Sequence, residues 1–296
     1  MESAVRVSVL IRRVAATQRR ADRQGLMAEQ LTIMAVHAHP DDEVISTGGV
    51  LARCAADGIR TVLVTCTNGE QGDAPGGIKP GRPGHDASAV RAQRLSELRE
   101  SAALLDIEHV ELLGYRDSGM DGWDGNQDPE AFRNIPVKQA AARVAELMRR
   151  YRPQVVVTYD ENGNYGHPDH IQANRVARAA AAATDIPDKL YYTAIPRESS
   201  SEMFTALRER GLIDVEPPQD FGTPMELITT VVDVAGFAQR KVKALEAHGS
   251  QGDSVPFLRM PADLQQMIFG TESFVRHFNR VQGAPERETD LFAGLR

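Results

Sequence analysis

Two stretches decide the fold: Leu31-Thr-Ile-Met-Ala-Val36, which runs into His37-Ala-His39-Pro-Asp41-Asp42-Glu43, and Gln154-Val-Val-Val-Thr-Tyr159, followed by Asn162-Gly-Asn-Tyr165-Gly-His167-Pro-Asp169-His170. Each opens with an unbroken apolar run of strand length and ends in a loop dense in histidine and carboxylate. Strands apolar on both faces belong to a parallel sheet covered on both sides. Working outward, Thr61-Val-Leu-Val-Thr-Cys66, His109 to Leu113 and Lys189-Leu-Tyr-Tyr-Thr193 read as further strands. Helices read over Gly48 to Ala56, Val90 to Leu105, Val137 to Met148 and Pro168 to Ala183, each carrying apolar or alanine positions at helical spacing. Alternating strands and helices with right-handed crossovers predict an α/β fold: a Rossmann-like, doubly wound, mostly parallel sheet. Ligands in such a sheet sit beyond the carboxyl ends of the strands, where the winding reverses, here between the first and fourth strands.

Both polar loops follow those two strands, so they emerge side by side. Two imidazoles and a carboxylate can then converge on one point and leave coordination positions open, which suits a catalytic divalent metal, zinc above all. The plainer reading makes these residues helix caps, with Asp41 or Asp42 starting one helix and His167 the other. Two such loops at the two switch-point strands favour a metal site. Ferrous iron, Fe2+, is the alternative occupant of a two-histidine, one-carboxylate set, but the oxygenase use of that set expects a β-rich fold. A nucleotide enzyme would need a phosphate loop, and the glycines at Gly69 and Gly72 make no Gly-x-Gly-x-x-Gly after the first strand.

The pattern Ala-His-Pro-Asp-Asp-Glu after strand one, with His-Pro-Asp-His far downstream, resembles the LmbE-like (PIG-L) zinc N-deacetylase superfamily, and within it the mycothiol-pathway branch of deacetylases and amidases. Thr65-Cys-Thr-Asn-Gly-Glu-Gln-Gly72 and Arg116-Asp-Ser-Gly119 match in order and position. The likeness runs from Leu31 to Ala183, with a weaker echo at Lys241 to Gln251. It implies that His39, Asp42 and His170 bind Zn2+. It makes Asp41 the general base, and has His167 stabilise an oxyanion or protonate the leaving amine, with Asp169 orienting it. It brings Tyr165 to the same developing charge, and puts Arg94 and Asp117 on the sugar. His248, in Ala-His-Gly-Ser-Gln251, falls in a segment resembling a substrate-side motif, although a histidine at a helix C-terminus is also favoured by the helix dipole alone. The implied reaction is hydrolysis of the acetamide of an N-acetylglucosamine-type small molecule. A thiol S-conjugate amide and an N-acylated amino-sugar natural product are the other substrates to weigh. A binding protein without catalysis would have no use for Asp41, which is present.

Around that centre the sequence is less specific. His37 and Glu43 read as structural, Glu43 capping or orienting the first helix; His85, His109 and His277 read as surface or packing residues. Asn68 to Ser88, with six glycines and three prolines, and Gly114 to Asn134, with the one tryptophan, Trp123, are loops long enough to wall a cleft. Trp123 either stacks on a sugar or anchors its loop. Thr229 to Val234 and Gly236 to Ala247 read as a strand and a helix. We therefore expect one domain over residues 27–296, with a Rossmann-like core at 27–194 and a C-terminal part at 195–296 walling the cleft. Residues 1–26 hold Arg6, Arg12, Arg13, Arg19, Arg20 and Arg23 against Glu2 and Asp22, and read as a flexible basic tail.

A formal charge of −7 lacks the basic footprint of a nucleic-acid binder, and no apolar run approaches the length needed to cross a bilayer. Cys54 and Cys66 form no Cys-x-x-Cys pair and read as reduced core thiols, which points to a cytoplasmic protein. The expected partner is a small amino sugar, with neither nucleic acid nor membrane; oligomeric state is not legible.

Overall fold

The computed structural model describes residues 30–211, 213–214, 221–252 and 255–296. The expected basic tail at 1–26 lies outside the described residues. Thr32–Arg296 forms one compact unit. Its sheet has seven strands, in the order β3-β2-β1-β4-β5-β7-β6. They are β1 (Thr32–His37), β2 (Arg60–Thr67), β3 (His109–Tyr115), β4 (Val155–Thr158), β5 (Lys189–Ala194), β6 (Thr230–Asp233) and β7 (Thr271–Asn279). β1 to β5 are parallel, and Ala35 of β1 is registered with Leu63 on one side and Val157 on the other. The winding reverses between β1 and β4, as expected. β7 was not anticipated. It runs antiparallel to both β5 and β6 and separates them. The C-terminal part therefore completes the core sheet.

The helices are α1 (Asp42–Ala56), α2 (Ala87–Leu104), α3 (Val137–Tyr151), the single turn α4 (Gly163–Gly166), α5 (Pro168–Thr184), α6 (Arg197–Glu209), α7 (Ala238–Ala247), α8 (Val255–Leu258) and α9 (Ala262–Phe269). Strand alternation puts Met34, Val36, Val62 and Val64 on the face covered by α3 and α5. There Ala140, Ala141, Val144 and Met148 meet Ala173, Val176, Ala177 and Ala180. On the opposite face His37 reaches Thr47 of α1, its Nε2 lying 2.8 Å from the hydroxyl. Burial pushes the His37 pKa down to about 4, so it serves as a neutral packing residue. No described helix is long and apolar enough to cross a membrane. Cys54 and Cys66 are buried and unpaired.

α1 carries the first polar loop on its N-terminus, so its seating fixes the site. It begins six residues before the expected Gly48, directly at Asp42. Midway along it, Gly49 and Val50 donate their N–H groups to the two carboxylate oxygens of Glu272 at 2.8 Å each, and Lys241 Nζ donates to Ile45 O at 3.2 Å. Lys241 and Glu272 pair at 2.7 Å, both buried. This ion pair from α7 and β7 feeds into the helix ladder and clamps α1 to the C-terminal part. Glycine is required here: a Cβ on Gly49 would sit 2.5 Å from Val234 Cγ2. A second buried pair, Lys189 Nζ on Glu288 Oε1 at 2.7 Å, fastens the last residues to β5, and Glu288 Oε2 also accepts from the Tyr191 hydroxyl at 2.6 Å.

Candidate active site and metal centre

The β1 loop turns sharply. Asp41 adopts φ 112°, a left-handed conformation that costs a non-glycine residue about 1–3 kcal/mol and persists only where its surroundings over-determine it. The turn starts α1 one residue later and places Asp42 in its first turn, where the helix dipole favours an anion. Opposite, His167 caps α5: its Nδ1 accepts the Asp169 N–H at 3.1 Å, and Pro168 sits at the first helical position. The capping reading of this histidine therefore holds, and its ring also stands 4.5 Å from that of His39 and 4.9 Å from that of His170.

Three side chains meet between these loops. His39 Nδ1 lies 3.2 Å from Asp42 Oδ2 and 3.3 Å from His170 Nε2, and His170 Nε2 lies 3.4 Å from Asp42 Oδ1. Ligands about 2.0–2.1 Å from a tetrahedral zinc stand roughly 3.3–3.4 Å apart; the two histidine nitrogens have that separation and each faces its own oxygen of Asp42, so this triangle of side chains frames a space of the size such an ion takes. Around it His39, His167 and His170 form one group of potential metal ligands, and His39, Asp117 and Asp169 another. The triangle separates them. His39 turns Nδ1 toward Asp42 and His170, and turns Nε2 toward Asp169 Oδ2 at 3.4 Å and Asp117 Oδ1 at 3.5 Å. Carboxylates on the far nitrogen of a liganding histidine are the usual outer support of a metal centre. Asp42 is held too: its Oδ2 accepts the His39 N–H at 2.8 Å and the Tyr159 hydroxyl at 2.7 Å. The Tyr159 ring stacks on His170 with centroids 4.0 Å apart.

Several expected roles change, those of Asp169 and His248 among them. Asp169 does not support His167 through its carboxylate. Its oxygens accept the N–H groups of Ser118 at 2.8 Å and Arg133 at 3.0 Å, and face His39. His167 therefore lacks the anionic partner that would charge it. Burial, followed by the neighbouring His39 and His170, pushes its pKa down to about 2. A neutral imidazole whose Nδ1 already accepts a hydrogen bond carries its proton on Nε2. His248 is fully buried, and its Nε2 lies 2.8 Å from Glu43 Oε1.

The electrostatics suit a cation. Burial works against a charged His39, yet Asp117, Asp169 and Asp42 outweigh it and hold its pKa well above the ordinary value. Burial likewise opposes the Asp42 carboxylate, but His170 and His39 hold it well below the usual range. Asp41 is different. Burial raises its pKa, Asp42 adds to the rise, and Arg94 opposes it. Arg94, from α2, is buried; its Nη2 donates to Asp41 Oδ2 at 2.9 Å and to Pro40 O at 2.6 Å, and its Nη1 donates to Gly69 O at 2.8 Å. It also stands 3.9 Å from Asp117. Arg94 and Asp117, expected on the sugar, are thus built into the walls of the centre, Arg94 on Asp41 and Asp117 on the back of His39.

The remaining walls come from the long loops. Tyr165 is about half exposed, its ring 5.0 Å from that of His170. Trp123 packs so closely on Gly119, at φ 68°, that a Cβ there would meet its ring at 2.7 Å. This supports the anchoring reading. His85, expected to be incidental, lies 2.9 Å from Gly72 O through Nε2 and pins the glycine loop. Tyr159, which the sequence presents only as the last residue of a strand, belongs to the site as well; its place directly before Asp160, at a switch-point strand end, is the signal that points to it.

The family described as PIG-L, GlcNAc-PI de-N-acetylase, matches residues 34–181. The chain is 42% identical over 277 residues to the 1D-myo-inositol 2-acetamido-2-deoxy-alpha-D-glucopyranoside deacetylase of Acidothermus cellulolyticus, covering 89% of this chain and 95% of that one. Among solved structures it is similar to the N,N'-diacetylchitobiose deacetylase from Pyrococcus horikoshii, with TM-score 0.55 and 22% identity over 83% of each chain. The 4-carboxy-2-hydroxymuconate hydratase of Pseudomonas putida is similar to the same degree, with TM-score 0.56 and 17% identity, covering 86% of this chain and 100% of that one. A deacetylase and a hydratase thus share this architecture, and the architecture alone does not choose the reaction. The 42% identity to the Acidothermus protein over most of both chains is of another order, and it places the chain in the PIG-L family of de-N-acetylases, hydrolases of the amide bond.

Proposed function

We propose that the protein is a zinc-dependent N-deacetylase that removes the acetyl group from an N-acetylglucosaminyl glycoside, with the inositol glycoside of the Acidothermus relative's name as its first candidate substrate. The observation that carries this reading is the zinc-sized donor triangle of His39, Asp42 and His170 with a separate carboxylate, Asp41, beside it. A divalent ion bound there supplies Lewis acidity and lowers the pKa of a coordinated water to about 7. The chain's own residues do the rest. Asp42 serves the ion, which leaves Asp41 free to take the proton of the attacking water and pass it to the departing nitrogen. The raised pKa of Asp41 suits both halves of that exchange. His167, neutral and protonated on Nε2, donates a hydrogen bond to the developing oxyanion, and the Tyr165 hydroxyl reaches the same oxygen. This favours oxyanion stabilisation over amine protonation for His167.

The experiment is acetate release and free-amine formation by the zinc-loaded and Fe2+-loaded protein. The substrates are the inositol glycoside, N-acetylglucosamine, a thiol S-conjugate amide and a long-chain N-acylglucosamine. Preference for the inositol glycoside is expected. Hydrolysis of none of these amides would overturn the reading.

A further inference from the structure

We infer that Glu43 and His248 form a positioning pair that holds the catalytic base in its strained turn, so that the C-terminal part of the chain aims Asp41 without touching substrate. The inference rests on the reading of Asp41 as the base.

Glu43 is fully buried, and its carboxylate is met from three different segments. Its Oε2 accepts the backbone N–H of Asp41 at 2.9 Å. Its Oε1 accepts the Ser101 hydroxyl from α2 at 2.5 Å and lies 2.8 Å from His248 Nε2 at the end of α7. Ser101 and His248 are themselves fully buried. A carboxylate so far from water keeps its charge and place only if its oxygens are satisfied by donors. His248 is the donor contributed by the C-terminal part. If it is lost, the Glu43 carboxylate loses the contact that fixes its rotamer, and the Asp41 peptide loses its anchor.

That anchor matters because of where Asp41 sits in φ/ψ space. At φ 112° its conformation has to be enforced, and two devices do so: Arg94 holds the Pro40 carbonyl and the Asp41 carboxylate on one side, and Glu43 holds the Asp41 N–H on the other. The chain after His248 is fixed independently of the base. Ser250 Oγ donates to Glu97 Oε2 at 2.7 Å, and Gln251 Oε1 accepts the Asp73 N–H at 3.1 Å. His248 thus projects from a braced segment. Its burial behind Glu43 replaces the substrate contact expected from its motif.

The test is His248→Ala in the full-length metal-loaded enzyme, with His248→Gln as the conservative variant, since a glutamine amide reaches the position of Nε2 and can donate to Glu43. Misplacing a catalytic group by a fraction of an ångström to about 1 Å costs on the order of 10- to 100-fold in rate. His248→Ala should lose about that much in kcat, with KM and bound metal unchanged and a melting temperature that leaves the enzyme folded at the assay temperature. His248→Gln should recover most of the loss. In an Asp41→Asn background His248→Ala should cost nothing further, because there is no base left to aim. Hydrogen–deuterium exchange supplies a readout independent of turnover: the peptide spanning residues 39–44 should exchange faster in His248→Ala and at the parental rate in His248→Gln. An unchanged kcat in an active enzyme, a full further loss in the Asp41→Asn background, or unchanged exchange in that peptide would overturn the proposal. If the parent hydrolysed no amide, the deacetylase reading would fall while the exchange measurement still decided whether His248 holds the turn.

Discussion

Replacing Arg94 by methionine separates the two roles this arginine can be given, a grip on the sugar or a counter-charge for the base. In the structure the guanidinium stands 2.9 Å from Asp41 Oδ2 and is buried with it. It opposes the burial that raises the Asp41 pKa, so it favours the ionised form of that carboxylate. A hydrogen bond to a charged group contributes about 1.5–3 kcal/mol, and 1.4 kcal/mol is a factor of ten in an equilibrium, so its loss should shift the ionised-to-protonated ratio of Asp41 by roughly 10- to 100-fold. The sign follows directly. The base must be deprotonated to act, and Arg94→Met disfavours the deprotonated form, so the acid limb of the kcat/KM profile moves to higher pH. At a pH on that limb the variant should fall about 10- to 100-fold further below the parent than it does on the plateau.

The substitution also leaves Pro40 O and Gly69 O without this donor, and leaves Asp41 and Asp117 without their shared cation. Removing one partner of a buried pair costs about 3–5 kcal/mol, so assays belong well below the melting temperature. Metal content should hold, since the hydrogen bonds and ion pairs of Arg94 go to Gly69, Pro40, Asp41 and Asp117 and to none of His39, Asp42 and His170. The assay is a pH–rate profile of acetate release alongside elemental analysis. An acid limb at the parental pH, with KM raised across all sugars, would refute the counter-charge role and return Arg94 to the substrate. Loss of metal would show that the triangle is drawn from the wrong residues.

Three other substitutions test different layers of the argument. His39→Ala should reduce bound zinc from about one per chain to near none by elemental analysis, because it removes a corner of the donor triangle; equal metal in both proteins would dismiss the assignment. His167→Ala should keep the metal and lose about 10²–10³ in kcat, the usual worth of one oxyanion donor, while the limbs of its pH profile stay in place because a neutral His167 does not titrate in the working range; disappearance of a limb would make it a general acid after all. Glu288→Gln should lower the melting temperature at pH 7 by roughly 6–12 °C, taking about 3 kcal/mol for a broken buried pair. The folded pKa of Glu288 is held below its ordinary value: burial opposes this, and Lys189 and Tyr191 outweigh it. Its stabilisation is therefore present above the ordinary carboxylate range and lost as pH falls through the lowered value, so the gap between the two melting curves should close in acid.

Much of the sheet was legible because its strands are apolar on both faces and bounded by polar loops, so β1 to β5 and the reversal between β1 and β4 could be read locally. β7 could not. Thr271-Glu-Ser-Phe-Val-Arg-His-Phe-Asn279 mixes charged and apolar residues, and its buried Glu272 contradicts any simple alternation. That glutamate is tolerated in the core because it bonds to Gly49, Val50 and Lys241, partners some 30 to 220 residues away in sequence. A residue whose place depends on such distant donors leaves no periodic trace. The Lys189–Glu288 pair escaped notice for the same reason.

The site divides along the same line. His39, Asp41, Asp42, His167 and His170 lie within two short loops, and each loop's chemistry is written in consecutive residues. What these groups are able to do is set by contacts across the fold. Asp169 looked like the partner of His167, two positions away, and instead supports His39, 130 positions away. That exchange turns His167 from a candidate acid into a neutral imidazole, and sets carboxylates against both ring nitrogens of His39. Adjacency in sequence therefore identified which residues take part, but the charge each carries follows from packing. Asp41 and Asp42 show this most clearly. Neighbouring residues of identical chemistry, they are divided by one left-handed turn: Asp42 lies among histidines that hold its pKa down, while Asp41 faces an arginine that only partly offsets its burial. One aspartate is thereby suited to hold a cation and the other to exchange a proton, and amide hydrolysis by a metal-activated water uses both.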